Sequence, residues 1–132
     1  MEELKILLVD DEIDFVTTLS ERLSIRNYNV KIATSSVEAM PLIYSYSPHL
    51  IILDIRMPEM NGLEFLRLIK KINPTTEVIM LTAYGDVKYV EEAMKEGALE
   101  YIIKPIDIRE LIIKIEKLRE KIQKRGVFSN VK

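Results

Sequence analysis

Short apolar runs punctuate the chain at regular intervals. Four of them, at 6–9, 50–53, 78–81 and 101–103, are continuous and rich in Ile, Leu and Val, with no polar alternation. Strands of a parallel sheet read this way when both faces are covered. A fifth run, at 28–33, alternates around Asn29 and Lys31. That is the pattern of a half-exposed strand, and it places this run at a sheet edge. Between the runs the period becomes helical. Ile13, Val16, Leu19 and Leu23 share a face, as do Leu63, Leu66, Ile69 and Ile72; Val87, Val90 and Met94 form a third stripe, and Ile108, Leu111, Ile112, Ile115, Leu118 and Ile122 the longest. Ser35 with Glu38, Asn61 with Glu64 and Asp107 with Glu110 have capping-box spacing, and Asp86 is placed to cap the fourth helix. Gly97 follows that helix where a left-handed stop is wanted. Pro41 falls inside the second helix, near 36–46, and predicts a kink or a weak helix.

Five strands alternating with five helices predict an α/β fold: a doubly wound parallel sheet of flavodoxin-like (βα)5 topology. The order 2-1-3-4-5 leaves the alternating second strand on an edge, as its pattern requires. One domain is expected over 1–124, followed by a tail at 125–132.

Composition narrows the chemistry. The 132 residues suffice for one domain, with 48% hydrophobic and 30% charged residues and no cysteine. Thiolate catalysis and cysteine-ligated metal sites are excluded, and the single histidine, His49, excludes multi-histidine sites. His49 precedes the third strand and is expected at the surface, on the opposite edge from the acids. No apolar run is long enough to span a membrane, and the first residues lack a signal-peptide layout, so a cytoplasmic protein is expected. From Lys114 onward there are seven basic and two acidic residues, against 12 and 19 before it. The basic end is expected to be a solvated helix face that complements its own dipole, with no direct nucleic-acid binding.

In an open parallel sheet, function sits beyond the carboxyl ends of the strands. The first strand runs into Asp10, Asp11 and Glu12, the third into Asp54, the fourth into Thr82, and the fifth into Lys104 and Pro105. Carboxylates, a hydroxyl and an amine therefore converge on one rim. One of the first three acids is expected to cap the first helix. Clustered carboxylates repel one another, and a hard divalent cation such as Mg²⁺ relieves that repulsion. Acids, metal, lysine and hydroxyl are the parts that clamp a transferring phosphoryl group, and a carboxylate can itself be the nucleophile. No Gly-rich phosphate loop is present, so nucleotide binding is not expected.

The segments ILLVDDE, LIILDIRMPEMNG, VIMLTAYGD and YIIKPI, in this order over residues 4 to 122, resemble the receiver domain of two-component response regulators (CheY-like). The wording is most similar to receivers that precede ATPase or DNA-binding output domains. The resemblance implies that Asp54 is the phosphoacceptor. It makes Asp11 a direct Mg²⁺ ligand, Asp10 one acting mainly through water, and the backbone carbonyl of Arg56 a further ligand. Thr82 becomes the hydroxyl that bonds the phosphoryl group, Lys104 its ammonium partner, and Tyr101 the switch aromatic that fills the space Thr82 vacates. A cis Lys104–Pro105 bond is implied as well. A sensor histidine kinase as donor is implied, with an output domain or partner controlled through the surface of the fourth helix, fifth strand and fifth helix. Arg56 and Tyr84 flank the water path to the acyl phosphate. Neither suits an attacking water, which predicts a long-lived phosphoryl group.

An aspartyl-phosphate hydrolase of the haloacid-dehalogenase kind would share the acids, the metal and the lysine. It needs a second acid two residues after the nucleophile, where this chain has Arg56, and a substrate cap for which there is no room. A flavin or ligand module would need a phosphate loop where DDEID stands. A constitutive interaction module usually lacks one of the acid, Thr or Lys positions, all present here. Ile113 lies about 140° from Ile108 on the last helix, off its main stripe, among Arg109, Glu110, Lys117 and Glu120. A weak, phosphorylation-tipped homodimer through that face is expected.

Overall fold

The structure is a computed structural model, and residues 3–59, 61–83 and 87–124 are described. Five strands, β1 (Lys5–Val9), β2 (Asn29–Ala33), β3 (Leu50–Asp54), β4 (Glu77–Thr82) and β5 (Glu100–Ile103), alternate with five helices. The helices are α1 (Ile13–Ile25), α2 (Ser36–Ser45), α3 (Gly62–Ile72), α4 (Val87–Lys95) and α5 (Ile108–Lys124). All pairings in the sheet are parallel, in the order β2-β1-β3-β4-β5, as the pattern predicts.

The continuous apolar runs follow from burial on both faces. Leu7, Val9, Ile51, Leu53, Val78 and Met80 pack on one side against Ala39 and Ile43 of α2, Phe65, Leu66 and Ile69 of α3, and Ala93 of α4. The intervening Ile6, Leu8, Leu50, Ile52, Ile79, Leu81 and Ile102 pack on the other against α1 and α5. The sheet is thus a middle layer between two helical layers, and α5 buries Leu111, Ile115, Leu118 and Ile122 as its stripe predicts.

Four expectations are corrected. β5 does not have both faces covered: Ile102 is buried, but Tyr101 and Ile103 are exposed, because β5 is the second edge of the sheet. The α4 stripe does not face the core. Ala93 does, and Val87 and Met94 are exposed, because the small side chain is the one that faces the sheet. Ile13 is likewise 63% exposed, at the first turn of α1 before the helix meets the sheet. His49 is half-buried: its Nδ1 accepts the Lys5 N–H at 2.9 Å, and its carbonyl accepts the Glu77 N–H at 3.0 Å. It ties the amino ends of β1 and β4 together, opposite the acids.

Caps fall where the spacing places them, with local differences. The Ser35 hydroxyl accepts the Glu38 N–H, while Glu38 Oε1 reaches past Ser35 to the Thr34 N–H and hydroxyl. Asn61 and Asp107 accept N–H groups two residues on. Gly97 adopts φ 107°. Helix α2 runs through Pro41 without interruption. Pro41 has no N–H to donate to the carbonyl of Val37 four residues back, and Val37 itself is 75% exposed. Asp86 and the tail at 125–132 lie outside the described residues.

Candidate functional site

Strand register builds the site. Val9 is paired with Leu53, so Asp10 stands level with Asp54; Asp54 is paired with Leu81, and Thr82 with Ile103. The residues ending four strands are therefore carried to one rim. Among the described residues, carboxylate oxygens of Asp10, Glu12 and Asp54 lie within 4.8 Å of one another. Lys104 reaches into them. Its Nζ is 2.8 Å from Asp10 Oδ2, 3.5 Å from Asp54 Oδ2 and hydrogen-bonded to Glu12 Oε1. The same ammonium sits 4.5 Å from the centroid of the Phe15 ring. The Lys104–Pro105 peptide is cis.

Asp10 and Asp54 are buried, and each has one oxygen tied to the backbone. Asp10 Oδ1 accepts the Glu12 N–H and Asp54 Oδ1 the Arg56 N–H, both at 3.0 Å. Asp10 Oδ2 is buried without a hydrogen bond. Lys104 is close enough to pair with it electrostatically, but not in a hydrogen-bonding direction. Burial, joined by repulsion from Asp10, pushes the Asp54 carboxyl up to about 6; the Arg56 N–H and Lys104 pull the other way. For Lys104, burial is the largest single influence and lowers its affinity for a proton. The carboxylates of Asp10, Glu12 and Asp54 together outweigh it and hold the ammonium above the usual lysine range.

These residues fit a hard divalent cation. The donors are oxygens only, three carboxylates face one ammonium, and the buried Asp10 Oδ2 takes no hydrogen bond. Asp11 is placed differently from Asp10. It is exposed and lines an open cleft of about 500 Å³ with Arg56, Met57, Asn61 and Tyr89. Its carboxylate is not in the close trio. Glu12 is, although sequence reasoning left it as one of three possible caps. Glu12 does occupy the N-cap position of α1, but its side chain makes no capping bond and goes to Lys104 instead. An acid at the last position before a helix, one residue from the rim, was the available signal.

Thr82 is 1% exposed, and its hydroxyl donates to the Ala83 carbonyl at 3.2 Å. Tyr101 stands outside the core at 41% exposure. The Arg56 guanidinium lies 5.3 Å from the centroid of the Tyr89 ring. Tyr84 lies outside the described residues.

Fold and rim together define a doubly wound parallel α/β domain with clustered carboxylates and one lysine at the carboxyl ends of its strands. The chain belongs to the response regulator receiver domain family, whose model matches residues 6–116. It is 40% identical over 116 residues to the transcriptional regulatory protein ZraR of Escherichia coli (strain K12), covering 88% of this chain and 26% of that protein. It thus spans about a quarter of that relative's length. It is 35% identical to sporulation initiation phosphotransferase F of Bacillus subtilis (strain 168), covering 81% of this chain and 86% of that one. The CheY-like receiver domain from Methanospirillum hungatei JF-1 superposes with a TM-score of 0.87 at 32% identity, covering 93% of this chain and 99% of that one. The receiver domain of NtrX from Brucella abortus gives 0.82 at 32% identity, covering 87% and 98%. Receiver domains take phosphoryl groups from histidine kinases and regulate output domains, and this chain is such a phosphorylation switch. No helix among the described residues is long and apolar enough to cross a membrane.

Proposed function

We propose that Asp54 accepts a phosphoryl group from a sensor histidine kinase, in the cytoplasm, and that residues 1–124 act as the switch for an output domain or partner. One Asp54 oxygen attacks phosphorus as the bond to the donor's imidazole nitrogen breaks. Asp54, Asp10 and Asp11, with the Arg56 carbonyl, are the proposed Mg²⁺ ligands, and Glu12 joins them on its position beside Asp10 and Asp54. Bound there, Mg²⁺ would supply charge neutralisation for the phosphoryl oxygens and the acid cluster. Lys104, already drawn to the Asp54 carboxylate, transfers to a phosphoryl oxygen. The Thr82 hydroxyl leaves the Ala83 carbonyl to donate to another, and Tyr101 moves inward behind it.

The observation that carries this reading is the buried Asp54 carboxylate, sharing one ammonium with the buried Asp10 carboxylate beside it. A hydrolase reading gains nothing from the geometry, since Arg56 stands where a second acid is needed and its side chain is stacked on Tyr89. Intact-mass measurement after incubation with acetyl phosphate and Mg²⁺ tests the assignment. One phosphoryl group is expected on the wild type and none on a folded Asp54→Ala variant, and an unchanged adduct in that variant overturns it. Asp11→Asn and Glu12→Gln, compared for Mg²⁺ affinity by titration, separate the contributions of these two carboxylates. Full phosphorylation in excess chelator overturns the metal role.

A further inference from the structure

Resting on Lys104 as the partner of a phosphoryl oxygen, we infer that Phe15 is a positioning residue for that lysine, its ring holding the ammonium where it can reach the phosphoryl group. Lys104 Nζ lies over the Phe15 ring, 4.5 Å from its centroid and within cation–π range. Phe15 stands in the first turn of α1, half-buried, and packs against the core layer that includes Val16, Leu19 and Leu23 of that helix. Its ring is therefore a fixed platform set beside the rim.

The lysine needs such a platform because its backbone fixes only its root. The Lys104 N–H donates to the Thr82 carbonyl at 2.8 Å, and the four-carbon stem beyond it is flexible. Two acids pull the ammonium in different directions. Asp10, 2.8 Å away, is 1% exposed, whereas Glu12 is 62% exposed and draws the charge toward water. Asp54 Oδ2, on the proposed phosphoacceptor, is the farthest of the three at 3.5 Å. A strongly hydrated ammonium gains by moving outward with Glu12 unless an attractive surface holds it back. The ring face is that surface. It attracts the cation without cancelling its charge, so Lys104 stays available to a phosphoryl oxygen.

The ring also bounds the rim. Phe15 lines a hollow of about 530 Å³ with Thr18, Ile106 and Ile108, and none of the three acids lines it. Removing the ring opens the ammonium to that hollow, and charge interactions weaken as water enters.

The rate of phosphorylation of the full chain by acetyl phosphate and Mg²⁺, followed by intact mass, tests this. Phe15→Leu keeps an apolar side chain but loses the ring, and should slow adduct formation roughly three- to tenfold, the factor that a partly desolvated cation–π contact supplies. Phe15→Tyr restores the ring face and should run at the wild-type rate. Trifluorophenylalanine introduced at position 15 alone keeps the shape but drains the ring face of negative charge. It should be slow like Phe15→Leu, whereas a ring that served packing alone would leave the wild-type rate. In a Lys104→Met background, Phe15→Leu should cost nothing further, because the two changes remove one interaction. Where Lys104→Met leaves too little rate to compare, the trifluorinated protein decides alone. Equal slowing by Phe15→Leu in both backgrounds, or a wild-type rate for the trifluorinated protein, overturns the inference and leaves Lys104 and Asp54 in their roles. A Lys104→Met variant phosphorylated at the wild-type rate overturns the role of the lysine and this inference with it.

Discussion

At the Asp54 carboxylate, burial and the neighbouring Asp10 charge both favour the protonated form, and Lys104 only partly offsets them. The folded-state value of about 6 lies above the ordinary 3.8. The folded protein then binds this proton more tightly than the unfolded chain does. Its contribution to stability is complete below the unfolded value and is lost as pH rises through about 6. Without Mg²⁺, thermal unfolding of wild type and Asp54→Asn should differ little near the low end of that window. Above it the variant should be the more stable. Added Mg²⁺ should stabilise the wild type and narrow the gap, because a cation bound only by the folded state adds to its stability. A gap that does not change across the window means that the carboxylate is not under this strain. At this scale the sequence was informative where strand ends dictate position. Asp10, Asp54, Thr82 and Lys104 each end or follow a buried run, and register brings them to one rim. It left Glu12 as one of three possible caps, because the direction of its side chain depends on where the first turn of α1 begins. It was silent on the Arg56–Tyr89 stack, which joins a loop to a helix remote in sequence.

Between residue and fold, the joint that sets the site is the turn from β3 into α3. Gly62 opens α3 with its N–H donating to the Ile55 carbonyl at 3.1 Å. A Cβ at this position would lie 2.5 Å from that oxygen and 2.7 Å from Ile55 Cα. Both are backbone atoms, which cannot rotate away. Gly62→Ala should therefore shift the segment that begins one residue after Asp54, costing about 1–3 kcal/mol as overpacking does. Phosphorylation by acetyl phosphate should slow with it. Denaturant unfolding that shows no loss of stability would falsify this account of the turn. The strands and helices themselves were legible from periodicity, because each long apolar stripe has only one way to be buried. The exceptions share a cause. In β5, and in α4 and the start of α1, apolar residues alone do not say which layer is finished. Tyr101 and Ile103 read as core until the sheet order makes β5 an edge. Val87 and Met94 form a stripe that the small Ala93 displaces from the sheet.

Part of that apolar exposure, on β5 and α4, matters at the scale of the whole molecule. Tyr101 (41%), Ile103 (46%), Met94 (40%) and Ile113 (58%) are exposed on β5 and the two helices flanking it in sequence. Ile113 stands off the buried stripe of α5, as its angle predicts. Glu100, Tyr101, Ile103, Glu110 and Lys114 line one hollow on this side, so apolar and oppositely charged groups are interleaved. A twofold pair uses one patch twice, setting the lysines and arginines of one copy against the acids of the other. Each exposed ion pair contributes only about 0–1 kcal/mol. Burial of the apolar side chains adds about 25 cal/mol for each Å² removed from water, against the cost of immobilising a second copy. The sum predicts a weak homodimer whose balance responds to the position of Tyr101, which the phosphoryl group is proposed to change. Sedimentation with and without beryllofluoride should show a shift toward dimer when the mimic is bound. Ile113→Glu should abolish that shift while leaving the Asp54 adduct intact, since Ile113 is outside the core and remote from the rim. If the wild type stays monomeric at high concentration in both states, the face does not serve self-association. Its apolar exposure is then left for the output partner, whose binding should be lost in the same Ile113→Glu variant.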